Sequence, residues 1–316
     1  MKKILSFLFL FLTIVNALCQ DKSPKMDMQK INFKNIAIVK QKIHNKDQLL
    51  LPAYALLMNA CENDLQWGPV SVMEKEGVPP SGDKHDYMSI APYWWPDSTK
   101  KDGSPYIRRD GLINPEVNEY KDKLYLVDLC EKVYELGLGF YLSDNPAYAK
   151  KAVELLETWF LNPVTKMNPN LNYAQAVKGV AEGRAEGVID TRHFIFMLDG
   201  VKLISHSAYW TNEKDQALKQ WFRSFYNWMN QSKIGMEELN AKNNHGVWFD
   251  AQALSITIYL DSLTESKKII QRALDRLDEQ MDSKGAFPLE LARTTSLHYS
   301  SSVSYTHLTL PTNREV

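Results

Sequence analysis

Residues 118–142, NEYKDKLYLVDLCEKVYELGLGFYL, carry the clearest fold signal in the chain. Apolar side chains recur there every three or four residues, which is the spacing of one face of an α-helix. These positions are Leu124, Leu126, Val127, Leu129, Val133, Leu136 and Leu138. Asn145 and Pro146 follow at once, and these residue types are preferred at the cap and the first position of a helix. The stretch therefore predicts two consecutive helices joined by a short turn.

The same periodicity predicts further helices along most of the chain. They cover residues 48–61, 191–207, 213–230, 247–260 and 264–281, and Ser262-Leu263-Thr264-Glu265 has the pattern of a capping box. No run of alternating β-branched residues is long enough to suggest a sheet. Consecutive helical hairpins of similar length close most naturally into a bundle or an α/α toroid, so we expect an all-α domain.

The two ends of the chain differ in character from this helical region. Lys2 and Lys3 precede an apolar run that ends at Ala17-Leu18-Cys19-Gln20, which is typical of a secretory signal peptide over residues 1–19. The run is too short to span a bilayer, and Leu18 disfavours lipidation of Cys19, so we expect a periplasmic or secreted protein. Residues 303–316, VSYTHLTLPTNREV, resemble a translated adapter. We therefore expect a non-native tail after a C-terminally truncated domain over 20–302.

Composition excludes some classes of partner. The chain has 37 Lys and Arg against 38 Asp and Glu, a net charge of −1, which is not the basic surface of a nucleic-acid-binding protein. An anionic substrate would have to meet a local basic cleft. Cys61 and Cys130 remain after removal of the leader, and either a disulfide or two buried thiols fits an exported protein.

Asn243-Asn244-His245-Gly246, followed later by Arg293 and Tyr299, carries the clearest chemical signal. A helix N-terminus with an Asn cap accounts for one Asn and the Gly, but leaves the second Asn and the His unexplained. Amide and guanidinium groups can neutralise a sugar carboxylate, after which an imidazole or phenol can move the proton on the adjacent carbon. This set predicts β-elimination without a metal or cofactor.

Two long segments, 77–114 and 162–190, interrupt the helices and are candidates for cleft walls. The first holds His85 to Asp97, whose aromatic side chains either anchor the loop on the core or bind the apolar faces of sugar rings. Gln175 within the second segment, and Arg192 and His193 just after it, could bind uronate groups, although turn and capping needs explain much of this region.

Several of these motifs together resemble the alginate lyase superfamily of helical-toroid polysaccharide lyases, particularly its branch from gut Bacteroidetes that acts on glucuronan or polymannuronate. The matching pieces are His85-Asp86-Tyr87-Met88-Ser89, Tyr93-Trp94-Trp95-Pro96-Asp97, Tyr173-Ala174-Gln175, Asp190-Thr191-Arg192, Asn243-Asn244-His245-Gly246 and Pro288-Leu289-Glu290-Leu291-Ala292-Arg293 with Tyr299. The resemblance implies an incomplete α/α toroid, no metal, and an anionic uronate polysaccharide as substrate.

The resemblance also implies roles for individual residues. Asn244 and Arg293 would neutralise the C5 carboxylate, Tyr299 would be the acid and in some cases also the base, and His245 would be the base or assist it. The residues expected to bind substrate are Tyr87, Tyr93, Trp94, Trp95, Gln175, Arg192, His193, Asn243 and His298.

Two other functions fit parts of the sequence. An inverting glycoside hydrolase needs two separated carboxylates, for which Glu182, Glu186, Asp190 and Asp250 are candidates. A non-catalytic glycan-binding protein would use only the aromatic loop. A depolymerisation assay separates the lyase from both, because only elimination leaves a product with a new C4=C5 double bond.

Overall fold

The computed structural model describes residues 32–309, and this part of the chain is built mainly from helices. In chain order they are α1 (Phe33–His44), α2 (Leu51–Asp64), α3 (Lys121–Ser143), α4 (Pro146–Leu156), α5 (Phe194–Ile204), α6 (Asn212–Gln231), α7 (Lys233–Leu239), α8 (Asn244–Tyr259), α9 (Leu263–Gln280), α10 (Pro288–Leu291) and α11 (Ser296–Thr309). The prediction of an all-α fold is confirmed.

Residues 118–142 and the following Asn145-Pro146 form the packed helical hairpin that their sequence predicts. Helix α3 is followed by α4, and the Asn145 side chain caps α4 by accepting from the backbone N–H of Ala147 at 3.1 Å. Helix α5 crosses α3 where Gly137 lies against Gly200, so closely that a side chain at either position would collide with the opposite backbone. Glycine at this crossing allows the two backbones to approach within contact distance.

Helix α8 forms the centre of the fold. Its buried positions include residues on every side of the helix, as expected for a helix surrounded by others. Helices α6 and α9 instead bury one stripe and expose the other. The first residues of α8 are the Asn-His-Gly motif, so the candidate chemistry is attached to a helix that is buried along its length.

The two long segments contain short strands that the sequence did not predict. Strand β1 (Met88–Ile90) pairs in parallel with β4 (Tyr173–Ala176), and β2 (Trp94–Trp95) pairs antiparallel with β3 (Ile107–Arg108). Strands of two to four residues are too short to show a period of two in the sequence. The β1–β4 pair joins the aromatic loop to the second long segment.

A buried carboxylate fixes both segments to the helices. Asp190 accepts hydrogen bonds from Tyr87 (3.1 Å), Ser89 (2.6 Å) and Gln175 (3.1 Å), and forms an ion pair with Lys123 of α3 at 2.9 Å. Asp190 and Tyr87 are both fully buried. Burial disfavours the ionised form, but the Lys123 charge and these hydrogen bonds outweigh it and lower the pKa of Asp190.

Most predicted helices are present, with ends shifted by a few residues, and the exceptions are informative. Helices α1, α7, α10 and α11 were missed. Ser262 stands at the start of α9, but its side chain makes no capping hydrogen bond, so the predicted capping box does not form. Cys61 and Cys130 are free and buried, as in the thiol alternative.

The expectations for the chain ends stay predictions. The signal peptide over 1–19 lies outside the described residues. Helix α11 continues past Ser302 through Thr309, and Val303 is buried in a cluster with Val247 and Phe287, while residues 310–316 lie outside the described part. Within residues 32–309 no helix combines the length and apolarity needed to cross a bilayer.

Glu135 provides a test of the packing between α2 and α3. Burial and a hydrogen bond with Asp64 raise the pKa of Glu135 from 4.5 to about 7. The folded protein therefore retains this proton where the unfolded chain has lost it, so stability falls as pH rises from about 4.5 through about 7. We expect Glu135→Gln to raise the free energy of unfolding by about 1 kcal/mol at pH 8, after discounting for partial exposure, and to change it little at pH 5.

Urea unfolding at the two pH values measures this effect. Glu119→Gln, which changes an exposed carboxyl, is the matched control and should show no such pH dependence. A stability gain from Glu135→Gln of equal size at both pH values would contradict the explanation.

Candidate active site

The Asn243–Gly246 motif combines a helix cap with a tightly packed start of α8. The Asn243 side chain accepts from the backbone N–H of His245 at 3.1 Å, so the capping interpretation is confirmed for this Asn. At Gly246 an added side chain would collide with the guanidinium of Arg276 and the carbonyl of Ala241. The motif thus needs its glycine for packing.

Arg276 is held at this point by a buried charge network. Asp250 of α8 accepts from the Nε atoms of Arg272 (2.7 Å) and Arg276 (2.8 Å) of α9. The Nη atoms of Arg276 donate to the carbonyls of Ala241 and Leu239, each at 2.7 Å. This network fixes the chain leading into α8, and therefore the position of the following Asn and His.

Asn244 is buried and held on both its backbone and its side chain. Its backbone N–H donates to Oε1 of Glu290 at 2.6 Å, and its Nδ2 donates to Oε2 at 2.9 Å. Glu290 is itself buried and lies in the short helix α10, three positions before Arg293. One carboxylate therefore joins the two sequence stretches that carry the candidate chemistry.

His245 is oriented by a second buried carboxylate. Its Nδ1 lies 2.7 Å from Oε1 of Glu238, whose side chain is only 2% exposed. With Nδ1 donating to Glu238, the neutral ring carries its lone pair on Nε2. Burial lowers the pKa of His245, but the hydrogen bond to Glu238 and the charges of Glu238 and Glu186 outweigh burial, so the pKa is raised overall.

Tyr299 and Arg293 are in direct contact. Nη2 of Arg293 donates to the Tyr299 hydroxyl at 2.8 Å, and Cζ of Arg293 lies 3.9 Å from the centre of the Tyr299 ring. The Tyr93 hydroxyl shares a hydrogen bond of 3.0 Å with the Tyr299 hydroxyl. Burial and then this bond to Tyr93 raise the pKa of Tyr299, and the Arg293 charge opposes them.

The two stretches share one electrostatic environment. The Arg293 cation is close enough to His245 to lower its pKa, against the larger effects of Glu238 and Glu186. Helix α11, which carries Tyr299, packs on α8, which begins at Asn244. We call Asn244, His245, Arg293 and Tyr299 the acid–base cluster.

Of three side chains beside this cluster, Glu238 and Arg184 were not identified as site residues from sequence, and Glu186 was considered only as a hydrolase candidate. Glu238 lies in the unpredicted helix α7, and Arg184 forms an ion pair with Glu186. The Arg184 guanidinium also lies 5.5 Å from the ring centre of Trp94, which connects the aromatic loop to the surroundings of His245. The sequence signal for Arg184 and Glu186 was their place in a glycine-rich segment, where single charges do not stand out.

The residues expected to bind substrate divide into two groups. Tyr93 contacts Tyr299, Asn243 and His298 are chain neighbours of cluster residues, and Trp94 lies beside Arg184. These residues and Trp95 are at least partly exposed. Trp95 donates to the Leu112 carbonyl at 3.0 Å, and the exposed His298 ring lies 5.6 Å from the Tyr299 ring.

The residues of the second group do not lie where the expected role in substrate binding requires. Tyr87 and Gln175 are buried and bind Asp190, so direct contact with a polysaccharide does not fit their position. Arg192 donates to the Ile189 carbonyl at 3.3 Å. His193 packs on Phe196, with its pKa lowered to about 4 by burial and by the charges of Arg192 and Lys123. None of these contacts links the four residues to the acid–base cluster.

Three of the four carboxylates considered for a hydrolase are committed to other interactions. Asp190 and Asp250 are fully buried and each binds cationic side chains. Glu186 is paired with Arg184, and Glu182 is exposed. Across residues 32–309, no three His, Cys, Asp or Glu side chains are grouped as metal ligands would be.

A helical scaffold with this set of acid, base and cationic groups is typical of polysaccharide lyases, and the comparisons with known proteins place the protein in that class. The chain matches the family model described as alginate lyase over residues 71–301 and belongs to that family. A crystal structure of an alginate lyase from Bacteroides ovatus is 38% identical, with a TM-score of 0.86, over 90% of this chain and 76% of that chain. No curated protein sequence matches. The expected family and toroid-like fold are therefore confirmed.

Substitution of Gly246 tests the packing at the start of α8. We expect Gly246→Ala to lower the free energy of unfolding by roughly 2–4 kcal/mol, because the new methyl group must displace a backbone carbonyl and a buried guanidinium. Chemical denaturation measures this loss. Gly77→Ala is the control, since its methyl group would make only ordinary contacts with Met88. Equal stability of the two variants would refute the packing argument.

Proposed function

We propose that this protein cleaves a uronate-containing polysaccharide, polymannuronate or glucuronan, by β-elimination, leaving 4,5-unsaturated uronate ends. The observation that carries the proposal is an imidazole on α8 oriented by Glu238, together with a phenol on α11 held by Arg293 and Tyr93, on two helices that pack against each other. The family membership supports lyase chemistry, and the acid–base cluster supports its mechanism. We also propose that the enzyme acts in the periplasm or outside the cell, on the evidence of residues 1–19.

The reaction begins with binding of the sugar carboxylate at C5. A carboxylate makes the neighbouring C–H a weak acid, so donors must first offset its charge. Asn244 lies at the N-terminus of α8, where the positive end of a helix dipole favours an anion and where Glu290 already accepts from its backbone N–H and Nδ2. Arg293 and Arg184 supply positive charge nearby, and Trp94 offers an apolar face for a sugar ring.

A proton then leaves C5, its electron pair forms the C4=C5 double bond, and the C4–O bond breaks with protonation of the departing oxygen. Glucuronate and mannuronate differ only in configuration at C2, so in both sugars the C5 proton and the C4 oxygen lie on the same side of the ring. Tyr299 can perform both transfers there, or Nε2 of His245 can take the proton while Tyr299 protonates the departing oxygen. The raised pKa of Tyr299 keeps its hydroxyl protonated at neutral pH, which supports the acid role.

Removing either proton-transfer group should abolish most turnover. We expect Tyr299→Phe and His245→Ala each to lower kcat on both polymers by roughly 10²–10⁴-fold. Ultraviolet absorbance of the new double bond measures turnover, and binding of each polymer should be largely kept.

Tyr209→Phe and His206→Ala are matched controls, since both residues are exposed and lie in the turn region between α5 and α6. Depolymerisation without gain of absorbance would indicate a hydrolase instead. Binding without any depolymerisation by the unaltered protein would indicate a glycan-binding protein.

The Glu238–His245 pair predicts a pH dependence. A base must be neutral, so kcat/KM on glucuronan should rise with pH through the raised pKa of His245. Glu238→Gln removes the carboxylate charge and leaves burial, which lowers this pKa, so the acidic limb should move to lower pH while kcat falls. Glu237→Gln changes the exposed neighbour and is the control. An unmoved limb in Glu238→Gln would exclude His245 as the titrating base.

A further inference from the structure

The loop that carries Tyr93 also brings a carboxylate to Arg293. Asp110 accepts from Nε of Arg293 at 3.2 Å through Oδ2 and from Nη2 at 2.7 Å through Oδ1, which is a two-point contact with one edge of the guanidinium. The two side chains are 22% and 16% exposed. Nothing in the sequence indicated this pair, because the residues are far apart in the chain and Asp110 lies in a loop.

The backbone around Asp110 is fixed to the same segment. Asp110 accepts from the backbone N–H of Thr294 at 3.4 Å and from its hydroxyl at 3.1 Å. The next residue, Gly111, has φ of +79° and lies against the Thr294 side chain, with no room for a Cβ. The left-handed conformation and the close approach both require glycine here. The carboxylate therefore has a fixed position relative to Arg293.

Asp110 is a permanent anion. Hydrogen bonds from Arg293, Arg108 and Thr294 hold its pKa well below the usual range despite partial burial. The Arg108 guanidinium contacts the same Oδ1 atom at 2.8 Å. At any pH at which the enzyme works, Arg293 thus faces a charged partner.

This contact determines which donor of Arg293 reaches Tyr299. A guanidinium is planar and rigid, so holding its Nε–Nη2 edge also fixes the direction of the second N–H on Nη2. That Nη2 atom donates to the Tyr299 hydroxyl at 2.8 Å. Without Asp110, the long Arg293 side chain would be free to turn this donor away from the hydroxyl.

We propose that Asp110 is a positioning residue of the lyase reaction, which holds Arg293 so that Nη2 donates to the hydroxyl of Tyr299. The inference rests on the proposed function and extends it. It assigns the second N–H of Arg293 Nη2 to the phenol, where the cation stabilises negative charge on the Tyr299 oxygen as the proton leaves for the glycosidic oxygen.

A double-mutant cycle tests the proposal on the full chain, with polymannuronate and glucuronan as substrates. We expect Asp110→Asn to lower kcat by roughly 10²-fold with little change in KM, because a misaligned donor weakens the transition state more than binding. Arg293→Met should lower kcat at least as much. In the Arg293→Met background, Asp110→Asn should have no further effect.

Two more variants separate positioning from folding. Arg293→Lys keeps the charge but loses the two-point contact, and it should resemble Asp110→Asn. Asp102→Asn, an exposed change on the same loop, is the control and should leave kcat unchanged. Near-ultraviolet circular dichroism and thermal unfolding establish that each variant is folded.

The outcomes distinguish this inference from the proposed function. An unaltered protein that gives no unsaturated product on either polymer would overturn the proposed function itself. An active protein in which Asp110→Asn matches the unaltered kcat would overturn the role of Asp110. If the double variant loses kcat by the product of the two single losses, the role of Asp110 is also overturned, because a merely structural loss does not depend on Arg293.

Discussion

The site depends first on the buried contact between Glu290 and Asn244. Two hydrogen bonds from one amide residue to one carboxylate join the start of α8 to the segment that continues into Arg293 and Tyr299. Each of these stretches lacks part of the chemistry, since one holds the imidazole and the other the guanidinium and phenol. A buried carboxylate without its donors would carry a large desolvation penalty, so the contact also fixes the relative position of α8 and α10.

Paired charges are a second common feature of the site. Glu238 faces His245, Asp110 faces Arg293 and Glu186 faces Arg184, so each cationic or protonatable group has its own carboxylate. Such pairs contribute little net charge, which agrees with the near-neutral composition of the chain. Their effect is orientation, because an ion pair with defined geometry restricts a long side chain to one direction. An anionic polymer then meets fixed donors rather than a diffuse positive surface.

The helices and the motif residues could be predicted from the sequence, because both depend on local pattern. The helices α3, α4, α6 and α8 follow from apolar spacing and from caps such as Asn145. The motif residues Asn244, His245, Arg293 and Tyr299 stood out because their types match one reaction. The carboxylates that hold these motif residues could not be predicted. Glu238, Asp110 and Glu290 are ordinary in the sequence, and their roles arise only when distant segments meet. For the same reason Tyr87 and Gln175 were assigned to substrate, whereas burial assigns them to Asp190.

The protonation states of His245 and Tyr299 bear on which of them takes the C5 proton and which protonates the departing oxygen. Burial and the bond to Tyr93 keep Tyr299 protonated, whereas the orientation of His245 by Glu238 leaves Nε2 as an acceptor in the neutral ring. A proton donor and a proton acceptor are thus both present before substrate binds, so one group can take the C5 proton while the other protonates the departing oxygen. If Tyr299 performs both transfers, it must first lose its proton, and the donor on Arg293 is the group that lowers the free energy of that step. The two ways of dividing the proton transfers therefore differ in how strongly the reaction relies on Arg293 and its orientation by Asp110.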